Sequence, residues 1–226
     1  ETEAPTEEDN RSDQKRIEEE LKVRGVDATM TWQAMKKLYP LCEKADWKIT
    51  VSLAWDEKNW KVVDLEAGDR SGEHYGVAVD LGSTTVAVRL VDCNTGKILG
   101  EVSTFNGQIP YGTDILTRIF DCQEDPKTLE VLRKAAADSI TACVRELERQ
   151  YQLPENSCIA MTIGGNTTMI HFLLGMDAFC VFYTPHAVHV DCPGFFRGRE
   201  LDIPIKGNVF IYPAKSNYLG GDIISG

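Results

Sequence analysis

The sequence predicts an α/β fold in two units, a small α/β module over 14–70 and a larger unit over 75–226, behind an acidic linker at 1–13. Three observations predict it. KITVSLAW at 48–55 alternates apolar and polar residues, and a second strand pattern at 60–65 answers it. Strand patterns at 76–81, 86–92 and 97–105 follow one another and lead toward a long apolar stripe at helical spacing. Between the units lies AGDRSGEH at 67–74, a Gly/Asp/Ser loop.

The linker is set by charge. Residues 1–20 hold nine acidic and three basic side chains, 3 − 9 = −6, too polar to bury anything and expected to be solvated. In the small module, 14–24 reads as a helix with Ile17 and Leu21 on one face, closed by Gly25. Thr31 caps a second helix through Trp32, Met35 and Leu38, which Pro40 is expected to end. Ile49, Val51, Leu53 and Trp55 are expected on one strand face. All four tryptophans lie between 32 and 60, which predicts an aromatic core.

In the larger unit the Asn94-Thr95-Gly96 turn joins the second and third strands. A short helix is expected over 114–120, and Asp125-Pro126 as N-cap and N1 of a long one. That helix aligns Leu129, Leu132, Ala136, Ile140, Cys143, Leu147 and Tyr151 on the face of a sheet, and Pro154 stops it. A buried strand at 158–163, a Gly164-Gly165 turn, a helix capped by Asn166 and a strand around 208–214 complete the reading. The order β-β-β-α-β-α is that of a ribonuclease-H-like half-domain, the building unit of the actin-like (ASKHA) ATPase fold.

Composition narrows the function. With 24 Lys+Arg against 35 Asp+Glu, the net charge of −11 argues against a nucleic-acid binder, which needs a basic face. No apolar run reaches membrane-spanning length, so no membrane partner is expected and the protein reads as soluble and cytoplasmic. The seven cysteines are scattered without a short C-x2-C or C-x4-C pair, the pattern of reduced thiols.

The chemistry is expected at Asp80-Leu81-Gly82-Ser83-Thr84-Thr85. An aspartate fixed at the end of a buried strand suits a hydrated Mg2+. Gly82 clears the backbone for a phosphate, and turn amides with the Ser83, Thr84 and Thr85 hydroxyls are donors for phosphate oxygens. An ordinary hairpin turn uses the same residue types. Gly164, Gly165, Asn166, Thr167 and Thr168 form a strand-to-helix turn suited to an anion or to a simple cap. Gly220-Gly221-Asp222 has the composition of a second phosphate hairpin. Asp114 is either a cleft carboxylate or a helix-start residue. His186, His189, Asp191 and Cys192 collect ligand-type residues, but extended backbone turns 186 and 189 to opposite sides. His171 reads as a hydrogen-bonded core residue.

GVAVDLGSTTVAVRLVD, FNGQIPYGTDILTRI, GGNTTMIHFLLG and YLGGDIISG resemble the reductive activators of corrinoid-dependent methyltransferases. RSDQKRIEEEL, the strand pair and VDLEAGD extend the resemblance into the small module, which resembles the family's middle domain. The resemblance implies ATP binding and hydrolysis coupled to an uphill electron transfer that returns a Co(II) corrinoid to Co(I), in an O-demethylase or similar methyltransferase system. It implies Asp80, Gly82, Ser83, Thr84 and Thr85 as a first phosphate loop, with Asp80 on Mg2+. Gly220, Gly221 and Asp222 would be the second, and Gly164–Thr168 the cleft lining. It also implies a corrinoid-protein partner, an electron donor, a homodimer through the ATPase domain, and a [2Fe-2S] domain. No cluster-type cysteine spacing is present, so the [2Fe-2S] domain, and the half holding adenosine past Gly226, are expected outside this chain. The expectation is of a fragment, inactive on a corrinoid by itself. Other readings are an activator of 2-hydroxyacyl-CoA dehydratases, a sugar-kinase or chaperone ATPase of this fold, and a docking module without chemistry.

Overall fold

The computed structural model describes residues 2–214 and Gly221. The small module holds helix α1 (Asp13–Val23), strand β1 (Ala28–Met30), helices α2 (Trp32–Met35) and α3 (Leu38–Lys44), and strands β2 (Ile49–Trp55) and β3 (Trp60–Ala67). Ser12 caps α1, and the Thr31 hydroxyl accepts from the Ala34 amide to cap α2. The sheet order is β1-β3-β2, with β1 parallel and β2 antiparallel to β3.

As expected, the helical run begun at Trp32 does not pass Pro40: Tyr39 leaves helical geometry at φ −104°, ψ 127°, as a residue before proline does, and a second helical turn then runs to Lys44. Two expectations fail here. The core is aliphatic, built from Ile17, Ala28, Met30, Ala34, Cys42, Val62 and Leu65, and of the four tryptophans Trp47 alone packs against it, while Trp32 is 64% exposed and Trp55 and Trp60 40% each. Ile49, Val51 and Leu53 of β2 do share the core-facing side, and the register shift between Ser52 and Leu53 leaves Val63 as the extra residue of β3. Ala54 is buried beside Gly207 of the larger unit, and Trp55 packs edge-on against its cross-strand partner Trp60 at 5.4 Å. The acidic segment also buries something. Arg16, 5% exposed, donates to the backbone carbonyls of Glu3, Asp9 and Arg11, because a buried guanidinium must find acceptors.

The larger unit opens with the antiparallel strands β4 (Tyr75–Leu81), β5 (Thr85–Asp92) and β6 (Lys97–Phe105). Helices α4 (Ile115–Glu124) and α5 (Lys127–Gln150) follow, then β7 (Cys158–Gly165), α6 (Thr167–Leu173), β8 (Gly194–Arg197) and β9 (Asn208–Ile211). The sheet order is β6-β5-β4-β7-β9-β8, with β7 parallel to both β4 and β9. Without the edge strand β8 this is the ribonuclease-H-like order, and the fold is the α/β half of an actin-like ATPase.

One face of the sheet carries Val77, Val79, Leu81, Val86, Val88, Leu90, Met161 and Ile163, which pack on Leu132, Ala136, Ile140, Cys143 and Leu147 of α5. Each fully buried large aliphatic side chain there contributes about 1.5–3 kcal/mol by removal from water. Tyr151 closes the stripe differently, staying 39% exposed with its hydroxyl donating to the Leu99 carbonyl. Pro126, not Asp125, occupies the N-cap of α5, and Asp125 accepts from the Lys127 amide at 3.0 Å.

The two units meet at the N-terminal ends of β7 and β9. Asn208 Nδ2 donates to the Trp55 carbonyl at 2.7 Å. Asp64, with a side chain 3% exposed, is gripped by Lys37 and by Lys206 at 2.5 Å. Burial raises the Asp64 pKa, but hydrogen bonds and charge from Lys206 and Lys37 outweigh it and hold the carboxyl below its usual value. A carboxylate depressed on folding stabilises above its unfolded pKa, and that stability is lost as pH falls through the folded one. Asp64→Asn is therefore expected to cost about 2 kcal/mol near neutrality, roughly 5 °C in Tm. The difference from the parent protein should shrink as the pH drops below about 4. Thermal melts of both proteins at several pH values check this; a pH-independent difference would exclude the ion pair as its source.

Candidate functional site

The opposite face of the sheet is open where Ala78, Asp80, Ala87, Arg89, Thr162, Gly164 and Tyr212 line a cavity of about 170 Å³. Strand alternation explains most of the lining: 78 and 80, 87 and 89, 162 and 164 are i,i+2 pairs, and Val79, whose side chain packs in the core, also borders the cavity. Asp80 sits opposite Ala87 of β5 and Gly164 of β7. Small residues on both sides of the carboxylate leave the space that forms the cavity. The site lies at the C-terminal ends of the parallel strands, where open α/β sheets place ligands.

Gly164 and Gly165 are therefore not a turn but the last two residues of β7, paired with Asp80 and Leu81. Glycine is needed by close approach: a Cβ on Gly165 would stand 2.9 Å from the Leu81 carbonyl oxygen. Asn166 then caps α6, accepting from the Met169 amide at 2.9 Å. Thr167 and Thr168 are buried at the start of that helix. Gly221 is buried against Tyr212, a wall of the same cavity, whereas Gly220 and Asp222 lie outside the described residues.

Gly82, Ser83 and Thr84 form the turn between β4 and β5, and Thr85 opens β5. The Gly82 amide donates to the Thr85 carbonyl at 3.0 Å. A Cβ on Gly82 would lie 2.6 Å from that oxygen, so glycine is required by closure of the turn itself. The other loop carbonyls are also engaged. Asn106 Nδ2 donates to Gly82 O, the Asn106 amide to Thr84 O, and Arg118 Nη2 to Ser83 O, each at 2.8 Å. The Ser83 and Thr84 amides have no acceptor among the described residues. Two successive free amides, flanked by three hydroxyls, are the donor set a phosphate group needs. Asp80 beside them fits Mg2+, which is held by one or two carboxylates plus phosphates and water.

The sequence reading missed what supports this loop. Arg118 is fully buried and donates to Gly112 O at 2.8 Å and Gln108 Oε1 at 3.1 Å as well as to Ser83 O. Burial lowers its pKa while the field of Asp114 raises it. Gln108 is anchored in turn, donating to the Leu132 carbonyl at 2.8 Å. The available signal was a charge on an apolar face: Arg118 shares the side of α4 that carries Ile115, Ile119 and Cys122. Asp114 is the N-cap of α4, its carboxylate accepting from the Thr117 amide at 2.9 Å and held below the usual carboxylate range by that bond.

The remaining ligand-type residues do not converge. Among the described residues no group of three or more His, Cys, Asp or Glu is placed to hold a metal ion. His186 Nδ1 is 3.0 Å from the Val181 carbonyl. His171 is buried, with Nδ1 2.7 Å from Thr167 O, and burial lowers its pKa. Cys42, Cys122, Cys143 and Cys158 are buried, and burial pushes the Cys158 thiol up to about 12. These cysteines do not fit an iron–sulfur cluster. No described helix is long and apolar enough to cross a membrane.

Residues 75–226 match the family model described as the RACo middle region. The chain belongs to the RACo middle-region family. Residues 1–72 match the model described as the RACo linker region, so linker and middle regions of the RACo family follow each other here. A solved structure of a reductive activator for corrinoid, iron–sulfur protein superposes on 100% of this chain with a TM-score of 0.85 at 29% identity. The corrinoid activation enzyme RamQ of Eubacterium limosum is 24% identical over 165 residues, 72% of this chain. The RACo-type chain spans 36% of the solved activator and 28% of RamQ.

Proposed function

We propose that this chain is the nucleotide-responsive part of an ATP-dependent activator that reduces a corrinoid protein from Co(II) to Co(I) for methyl transfer, in an O-demethylase or similar methyltransferase system. The observation that carries the reading is the superposition of the whole chain on a reductive activator for corrinoid, iron–sulfur protein. The donor set at 80–85 supports it. The Ser83 and Thr84 amides and the neighbouring hydroxyls would bind phosphate oxygens, and Asp80 would hold Mg2+, which supplies charge neutralisation on the phosphates. Gly164, Gly165, Asn166 and Thr167 would form the adjoining wall. Gly220, Gly221 and Asp222 are assigned to the second phosphate contact.

An uphill one-electron step requires that the activator bind the more easily reduced state of the corrinoid protein preferentially. The candidate site occupies one end of β7 and β9, and the small module contacts their other end through Lys206 and Asn208. A change at the phosphate end is thereby connected to the small module by two strands, the route along which nucleotide state would alter partner binding. The electron donor, a [2Fe-2S] group and the homodimer contact are assigned to the full-length protein, since the cysteines of this chain do not fit a cluster. The reading places that protein in the cytoplasm with a corrinoid protein as its partner and no nucleic acid.

The test mixes the full-length protein with a Co(II) corrinoid protein, a low-potential one-electron reductant and Mg-ATP, and follows the visible spectrum. Co(I) is expected only with ATP, and Asp80→Ala is expected to lower its formation about a hundredfold or more, as loss of a transition-state charge contact does. ATP turnover without Co(I) would sink the corrinoid reading in favour of another actin-like ATPase activity.

A further inference from the structure

The buried polar network behind the 82–85 turn is more elaborate than a hairpin needs. Each peptide unit is planar and trans, so its C=O and N–H point in opposite directions. Asn106 Nδ2 takes the carbonyl of the Gly82–Ser83 peptide and Arg118 Nη2 that of the Ser83–Thr84 peptide, both at 2.8 Å. The Ser83 and Thr84 amides must therefore face away from the network, and both lack an acceptor among the described residues. Ser83 is half-buried and Thr84 exposed, so these outward amides meet solvent.

Charge adds to geometry. Among the described residues no carboxylate lies within ion-pair distance of Arg118; its acceptors are two carbonyls, the Gln108 amide oxygen and, at 3.7 Å, Met169 Sδ. A fully buried guanidinium with only neutral acceptors is costly to fold around. It leaves a positive potential one peptide unit behind the free amides, and it polarises that peptide so that its N–H becomes a stronger donor.

We infer that Arg118 is a positioning residue for a polyphosphate, turning the Ser83 and Thr84 amides outward and supplying a buried positive charge that favours a highly charged phosphate chain over a less charged one. Asn106 shares the geometric part, and Gln108 gives Arg118 a neutral acceptor, so that the field of Asp114 only partly offsets its charge. The inference rests on the nucleotide reading of this site and adds a residue that the DxGxTT pattern does not contain.

The experiment measures affinities of the full-length protein for Mg-ATP, Mg-ADP and adenosine, beside thermal melts. Arg118→Met is expected to weaken Mg-ATP binding about tenfold or more, Mg-ADP less, and adenosine little. Arg118→Lys, which keeps the charge, should restore part of the preference for ATP. Gln108→Glu is the decisive second variant, because it sets a carboxylate against the guanidinium without removing it. It should keep or raise Tm, yet weaken Mg-ATP binding severalfold relative to adenosine. A folded Gln108→Glu protein with parental ATP affinity and ATP-to-ADP ratio overturns the charge role, whether or not Arg118→Met folds. An Arg118→Met protein that weakens all three ligands equally also overturns it, leaving a scaffold arginine. Absence of Mg-ATP binding by the parental protein would instead overturn the nucleotide reading itself.

Discussion

Gly207→Ala is expected to destabilise the protein by about 3 kcal/mol or more, a fall in Tm of roughly 10 °C. Gly207 sits between Lys206, which holds Asp64, and Asn208, which opens β9. A Cβ there would lie well inside van der Waals contact with the Ile159 carbonyl oxygen and 3.0 Å from the Ala54 side chain. The first neighbour is backbone of β7 and the second belongs to the small module. Relief of the first contact requires that the backbone at 207 move off β7, and relief of the second that this movement either stay within the larger unit or carry the two units apart. The same shift would disturb the Asn208–Trp55 hydrogen bond and the Lys206–Asp64 contact together. Thermal melts and limited proteolysis read the two routes: lowered Tm with cleavage in 67–74 would mean detachment of the small module, and cleavage throughout would mean global loss. Gly72→Ala, where nothing lies within 4 Å, is the control and should melt close to the parent. A Gly207→Ala protein as stable as that control would show that the interface yields freely.

The strands that hold the candidate site were legible because each obeys one simple rule. Strands β4 and β5 alternate cleanly, β6 does so from Gly100 onward past a register shift that leaves Leu99 unpaired, and α5 carries its stripe in a single phase. Asp80 could be placed at a strand end for the same reason. Where the reading failed, a tertiary contact overrode a local preference. Gly164 and Gly165 have turn composition, yet they continue β7 because only glycine lets that backbone pass the Leu81 carbonyl so closely. Strand β1 is three residues long and pairs with β3 from far along the chain, too short for any period to register. Hydrophobicity alone predicts the tryptophans inward, yet Trp55 and Trp60 sit opposite each other at the open end of the β2–β3 pair and pack on one another while 40% exposed. Arg118 was invisible for a different reason. Its acceptors are backbone carbonyls at 83 and 112 and a neutral amide, and a carbonyl acceptor leaves no residue type in the sequence to pair with the charge.

Gly82→Ala should remove Mg-ATP binding by the full-length protein, with a loss of about a hundredfold or more, while Tm falls little. The backbone at Gly82 is one an alanine can adopt, so the effect is purely one of space: its Cβ would approach the Thr85 carbonyl oxygen to 2.6 Å. That oxygen accepts the Gly82 amide in closing the turn, and the two cannot separate without opening the hairpin. Opening it displaces Ser83 and Thr84, the residues whose carbonyls Arg118 and Asn106 tie inward, so their amides no longer converge on one point. Most of the sheet is unaffected, because the turn lies beyond the last paired residue of β4. A second hairpin in the same sheet separates site from scaffold. At Gly96, with φ +72° and nothing within 4 Å, alanine strains the backbone but stands away from the 80–85 cavity lining. Gly96→Ala should therefore lower Tm and leave nucleotide affinity unchanged, the inverse of Gly82→Ala. If Gly82→Ala bound Mg-ATP within twofold of the parent, the hairpin would be a turn and no more, and the phosphate contacts would have to be sought elsewhere.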